Sequence, residues 1–342
     1  MDIRYPRPLV AGDLIGVTSP SSGVTERHRA RLDFAIEGLK DQGFTVEVGK
    51  CMDGATHISA PVQQRAAEFT HMLLDPRVRA IVPPWGGETA IDLIAHLDFD
   101  AIVAADPTWI VGYSDISTLL TPITLLTGMA TIHGSNLMDT PYATPASLVH
   151  WLEIAQQPAG ASFRQSSPDV HRLNDWDDWS AHPDVTEHSW NGHGAWKRLD
   201  DGTRPVDATG RLIGGCIETM ANLAGTRYAD TSRLRDETDA ATLVYIEAAG
   251  DEATDICRYL HGMRLAGFFD GAAAVLVGRT GAKDSPTLTQ SEAVLDALGT
   301  LAVPIIGNVE CGHVPPQLPI VNGALGRLVF TESEQYLQQT LR

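Results

Sequence analysis

A chain of 342 residues can bury two moderate cores, and its 43% hydrophobic and 20% charged composition is that of a globular protein. The formal net charge of −18 argues against nucleic-acid polymers and anionic membranes as main partners. Cys51, Cys216, Cys257 and Cys311 are scattered, with no C-x-x-C and no zinc-like spacing. No apolar run is long enough to span a bilayer and the first residues lack an apolar signal core, so a cytoplasmic location is expected.

Leu14–Thr18 is expected to form a buried strand, followed by a Ser19–Gly23 loop. Leu32, Ala35, Ile36 and Leu39 recur at helical spacing until Gly43 ends the helix. Phe44–Val48 is a second strand, and Pro61 suits the first turn of a helix reaching about Leu74. Ala80–Pro83 is a third strand, ending in Pro84-Trp85-Gly86-Gly87-Glu88. Trp109–Val111 is a fourth, ending at Ser114. This alternation implies a parallel sheet with helices on both faces, and ligands at the carboxyl ends of its strands. Pro122 predicts a kink or break in the helix that follows Ser114.

From 161 to 205 the periodicity fades, and Trp176, Trp179, Trp190 and Trp196 cluster in what is either a linker or a long functional loop. A second α/β region runs from 206 to 342. Its expected strands are Arg211–Gly215, Leu243–Glu247, Ala273–Val277 and Val303–Gly307, with a helix through Ile256, Tyr259, Leu260 and Met263.

The most informative stretch is Gly112-Tyr113-Ser114-Asp115, where an apolar run stops and a helix-compatible segment begins. That is how a nucleophile elbow is built, although Ile116 replaces the second glycine of G-x-S-x-G. A serine nucleophile needs a base and a group to orient it. Glu247 ends a buried strand, and His313 lies between Gly312 and the Pro315-Pro316 pair on a constrained loop.

Together these residues resemble the LD-carboxypeptidase and microcin-immunity (MccF-like) family of serine peptidases. The resemblance is carried by Gly12–Val17 with Ser19-Pro20-Ser21, the Gly86-Gly87 turn, Gly112–Asp115 and Thr131–Gly134. It continues through Gly210–Gly215, Glu247 and Gly312-His313 with Leu318-Pro319. It implies a flavodoxin-like N-terminal domain (1–160) with a parallel sheet, plus a smaller, swivelling-type C-terminal α/β domain (206–342). Ser114 would be the nucleophile, His313 the base and then the acid, and Glu247 the orienter. The oxyanion hole would be backbone N–H of Asp115 and of the Gly86-Gly87 turn. A homodimer and a small-molecule substrate are implied as well.

One branch of such proteins trims terminal D-alanine from muropeptide tetrapeptides. The other cleaves the amide joining a peptidyl or aminoacyl group to a nucleotide. The tryptophan-bearing loop resembles the second branch, with Trp176, Trp179, Trp190 or Trp196 available to cover a base. Trp85, Glu88 and Cys216 are further expected substrate contacts. Glu88-Thr89 and Cys216 stand where immunity members tend to carry Asn-Ser and Asn. His171, His182, His188 and His193 lack metal-site spacing, and the first βα loop lacks G-x-G-x-x-G. Neither metal nor organic cofactor is therefore expected. A non-catalytic binder is the alternative from another class.

Overall fold

The computed structural model describes residues 1–200, 202–235 and 241–342. The first α/β unit runs β1 (Leu14–Val17), α1 (Arg29–Asp41), β2 (Thr45–Val48), α2 (Val62–Leu74) and β3 (Val78–Ile81). It continues with α3 (Phe99–Ala104), β4 (Trp109–Gly112), α4 (Ser117–Thr127), β5 (Thr131–His133) and α5 (Trp151–Ala155). The long loop carries short strands only: β6 (Ser162–Gln165), β7 (Val170–His171), β8 (Gly192–His193) and β9 (Lys197–Arg198). The remainder is β10 (Val206–Cys216), α6 (Ile217–Leu223), β11 (Thr242–Glu247), α7 (Ala253–Leu265), β12 (Ala272–Gly278), α8 (Gln290–Leu298), β13 (Ile305–Val309), β14 (Ile320–Asn322), β15 (Leu325–Phe330) and β16 (Gln335–Thr340).

Five parallel strands of the first sheet lie in the order β2-β1-β3-β4-β5, which is the flavodoxin-like order. The sixth is β14, from near the other end of the chain, pairing antiparallel with β5. The second sheet runs β6-β16-β15-β10-β11-β12-β13-β9. Its β10 to β13 are parallel, and the edges are antiparallel. Residues 161–205 therefore supply strands at both edges of this sheet, β6 and β9, rather than a free linker.

Strand residues alternate between two cores, as the period of two requires. Trp109 and Val111 join one core and Ile110 the other; Leu243 and Tyr245 join the first, Val244 and Ile246 the second. Both cores draw on both sheets, so the sheets share their packing. Helix α4 lies at this junction. Thr121 donates to the Gly214 carbonyl at 2.6 Å, and the Cys216 N–H donates to Ser117 Oγ at 3.2 Å.

The break expected at Pro122 does not occur: α4 continues through it. Ten of its eleven residues are buried, and tertiary packing outweighs a local cost of about 3 kcal/mol. Strand ends differ from the sequence reading by at most two residues, except that β10 begins five residues earlier, at Val206, because it also pairs with β15. Among the described residues no helix is long and apolar enough to cross a membrane.

Candidate active site

The loops after β1 and β3 flank the β1/β3 switch point of the first sheet, and the turn after β4 adjoins them. After β4 the chain turns through Ser114 at φ 62°, a left-handed conformation that costs a non-glycine residue on the order of 1–3 kcal/mol. A single 3₁₀ turn, Ser114–Ile116, leads into α4. The strain lifts the hydroxyl above the sheet end. Ile116 can replace the usual glycine because its side chain is fully buried in the second core.

Gly86 lies against this elbow. A Cβ there would sit 2.9 Å from Ser114 Cβ and 3.1 Å from Asp115 N, so only glycine permits the approach. Asp115 fixes the two segments together: its carboxylate accepts from Ser21 Oγ at 2.5 Å and from the Ala90 N–H at 2.8 Å. Among the described residues no protein acceptor takes the N–H groups of Gly86, Gly87 or Asp115.

His313 Nε2 lies 3.0 Å from Ser114 Oγ, and its Nδ1 lies 2.8 Å from Glu247 Oε2. An ionised carboxylate only accepts, so Nδ1 carries the hydrogen and Nε2 is free to accept from Ser114. Glu247, at the end of β11, is fully buried, with Gly278 and Gly312 packed directly on its side chain. Burial alone would push its carboxyl up, but the His313 charge and hydrogen bond hold it below the ordinary value. Burial likewise pulls His313 down, yet Glu247 more than compensates and the imidazole stays above its ordinary value. The Tyr113 ring packs edge-on at 5.0 Å and confines the imidazole. The His313 loop is closed by Leu318 N–H donating to the Glu310 carbonyl at 2.6 Å.

Two clefts share lining residues on this face, and His313 lines the first of them. That first cleft is narrow, walled by Tyr113, Ser135, Asp139, Tyr142, Trp176 and His313 among others. The second, of about 200 Å³, is aromatic, with Trp85, Trp176, Trp179, Tyr142, His188 and His28 in its walls. Asp139, Tyr142, Trp176, His188 and Pro315 belong to both. Burial raises the Asp139 carboxyl to about 6.

The structure separates the tryptophans. Trp176 is 63% exposed and faces both clefts. Trp179 lines the aromatic cleft with its Nε1 donating to Tyr142 Oη at 2.9 Å, and Trp85 does so with its Nε1 held by the carbonyls of Ser22 and Gly23. Trp190 packs against His188 at 5.1 Å and lines neither cleft. Trp196 is 3% exposed and donates to Glu310 Oε2 at 2.6 Å. The expectation that it could cover a base is therefore corrected: it anchors the loop to the core.

Cys216, at the end of β10, is buried with its thiol donating to Glu218 Oε2 at 3.1 Å. Glu218 in turn accepts from the N–H groups of Ala249, Gly250 and Asp251. Glu88 is exposed and takes part in no hydrogen bond or ion pair among the described residues. Burial, then Asp115, Asp251 and Glu218, raises its carboxyl; the only opposing charge is His313.

Sequence reasoning missed the buried cation that backs two of the aromatic cleft's rings. Arg31, on α1, is fully buried, donates to the carbonyls of Met138, Pro183 and Val185, and lies 4.9 Å from the Tyr142 ring centre and 5.1 Å from that of Trp179. Tyr142 donates to Asp177 at 2.6 Å and stacks on His188 at 3.9 Å. An arginine among apolar positions of a helix, beside Leu32 and Ala35, was the available signal. Of the loop histidines, none falls in a group of close-set metal-ligating atoms among the described residues.

A strained serine beside an imidazole and a buried carboxylate, at the end of a flavodoxin-like sheet, is the arrangement of a serine hydrolase. Residues 15–134 match the LD-carboxypeptidase N-terminal domain and residues 209–328 the LD-carboxypeptidase C-terminal domain, so the chain belongs to the LD-carboxypeptidase family. It is 26% identical over 355 residues to the Microcin C7 self-immunity protein MccF of Escherichia coli, covering 96% of each chain. It is also 26% identical over 341 residues to a Bacillus subtilis protein named "Probable murein peptide carboxypeptidase", covering 97% of this chain and 94% of that one. The structure of MccF in complex with aspartyl sulfamoyl adenosine superposes with a TM-score of 0.82 at 22% identity, covering 98% of each chain.

Proposed function

We propose that this chain is a serine peptidase that hydrolyses the amide joining a peptidyl or aminoacyl group to a nucleotide. The observation that carries the reading is His313 bridging Ser114 and Glu247 at 3.0 and 2.8 Å, with an aromatic cleft adjoining the one that His313 lines. MccF has been seen with glutamyl sulfamoyl guanosine and with aspartyl sulfamoyl adenosine, which supports a substrate of this class.

In this mechanism Ser114 Oγ attacks the amide carbonyl carbon while His313 Nε2 takes its proton. The Asp115 N–H and one from the Gly86-Gly87 turn donate to the oxyanion. Collapse breaks the C–N bond, and His313 returns the proton to the leaving nitrogen. Water then enters, loses a proton to His313 and attacks the acyl carbon; as the ester C–O bond breaks, His313 returns that proton to Ser114 Oγ and the acid is released. Throughout, Glu247 holds the Nδ1–H tautomer and stabilises the imidazolium. Trp176 and Trp179 supply ring faces for the base, worth roughly 1–3 kcal/mol by stacking. The part of the substrate that reaches Glu88 is neutral or cationic, because the charges around that carboxylate are mainly acidic, with His313 as the opposing one among the described residues.

A panel of aminoacyl sulfamoyl adenosines and muropeptide tetrapeptides, with fluorophosphonate labelling, tests the reading. Cleavage of the nucleotides and labelling lost in Ser114→Ala are expected. Tetrapeptide trimming without nucleotide cleavage would assign the chain to cell-wall turnover instead. Binding without turnover or labelling would make it a sequestering protein. The homodimer implied by the resemblance is checked by light scattering.

A further inference from the structure

We propose that Cys257, His261 and Asp296 form a binding site for a zinc-type divalent cation that clips α7 to α8, apart from the candidate active site. Cys257 and His261 are one turn apart on α7, and i,i+4 side chains share a face. Asp296, on α8, completes the group. His261 Nε2 lies 2.7 Å and Cys257 Sγ 3.5 Å from Asp296 Oδ1. All three candidate ligand atoms fall within 4.8 Å of one another.

Tetrahedral zinc, with metal–ligand distances of about 2.0–2.3 Å, separates its ligand atoms by roughly 3.3–3.8 Å. Small side-chain rotations reach that spacing: His261 and Asp296 move apart by roughly half an ångström, and the sulfur and imidazole, within 4.8 Å of each other, draw in by about an ångström at most. The donor set discriminates by chemistry. A thiolate and an imidazole favour zinc or its d-block neighbours, whereas magnesium and calcium favour oxygen. Three protein ligands on a half-exposed face leave the fourth position to water.

A cation that faces the group sharpens the proposal. Arg264 Nη2 lies 3.3 Å from His261 Nδ1. Arginine only donates, so in the metal-free protein Nδ1 accepts and the Nε2 hydrogen points at Asp296. On binding, Cys257 releases its thiol proton to solvent, Nε2 becomes the ligand, and the imidazole carries its hydrogen on Nδ1. Arg264 must then turn away, and its charge opposes the ion. The neighbouring Arg258 is engaged by Asp255 at 2.7 Å. Arg264 thus weakens the site, and replacing it with an acceptor for Nδ1–H strengthens it.

The thiol gives a direct readout, because Cys51, Cys216 and Cys311 are buried and Cys257 alone of the four is not. In the full-length protein, one equivalent of Zn(II) should slow modification of Cys257 by a disulfide reagent about tenfold or more, and Co(II) should give a thiolate charge-transfer band lost in Cys257→Ser. Asp296→Asn should weaken Zn(II) binding, and Arg264→Gln should tighten it by about tenfold, the scale on which partners of a ligating histidine act. Thiol reactivity indifferent to excess Zn(II), a cobalt band that survives Cys257→Ser, or undiminished affinity in Asp296→Asn would each overturn the proposal.

Discussion

Glu247→Gln isolates the electrostatic contribution of the buried carboxylate. The amide is isosteric and its oxygen can still accept from His313 Nδ1, so the 2.8 Å contact survives while the charge is lost. Two unit charges about 4 Å apart attract by about 4 kcal/mol at an effective dielectric of about 20. The retained hydrogen bond recovers about 1 kcal/mol, leaving a loss near 3 kcal/mol in the imidazolium-like transition state, or roughly 10²-fold in kcat/KM. If the amide instead turns its NH₂ toward Nδ1, the hydrogen is forced onto Nε2 and the loss approaches about 10⁴-fold.

The pH profile follows with a definite sign. His313 must be neutral to accept the serine proton, and Glu247 holds its pKa above the ordinary 6.5. The acid limb of kcat/KM should therefore move to lower pH in Glu247→Gln. Stability is linked to the same shifts. The His313 contribution is complete below 6.5 and is lost as pH rises through its raised native value. The Glu247 contribution is present above 4.5 and is lost as pH falls through its depressed native value. Steady-state kinetics and thermal melts across pH check both. Activity within threefold of the parent, with an unmoved acid limb, would refute the assigned role of the carboxylate.

Ser114→Ala should lower turnover by about 10⁴-fold or more while the protein stays folded, and His313→Ala should match it with little further loss in the double variant; single-turnover assays and circular dichroism read this. Trp176→Ala should raise KM for an aminoacyl nucleotide by the equivalent of about 1–3 kcal/mol without lowering the melting temperature. Trp196→Ala should do the reverse, destabilising the fold by about 3–5 kcal/mol because the ring is buried and Glu310 loses its donor. Glu88→Gln should raise kcat/KM several-fold for aspartyl over uncharged aminoacyl sulfamoyl adenosines if the aspartyl carboxylate approaches that side chain, as competition kinetics would show.

The elements around the candidate site were legible because they depend on local punctuation. Ser114 follows a four-residue apolar strand, Glu247 ends a six-residue one, and His313 sits between a glycine and two prolines. Each lies where backbone chemistry alone limits the options. The aromatic cleft was only half legible. Trp176 and Trp196 look alike in sequence, and what separates them is Glu310, more than a hundred residues away, which accepts from one and not the other. Arg31 reads as a helix-face residue until packing brings Tyr142 and Trp179 onto it. Pro122 misled for the converse reason: a local penalty was visible, whereas the burial that outweighs it was not.

The pairing of Ile320–Asn322 with Thr131–His133 has a mechanical consequence. The segment bearing His313 leaves the second sheet at Val309 and enters the first at Ile320, so both anchors of His313 are ladder-bound, one in each sheet. A rotation of one sheet against the other must stretch or compress this short tether before it can carry the imidazole away from Ser114. The same stitch means that residues 1–160, produced alone, would lack the strand beside β5 and present an open edge there. Cutting the chain anywhere between the two sheets should therefore cost the first one its solubility, and a graft that exchanges one half must carry 310–322 along with the half that holds Ser114.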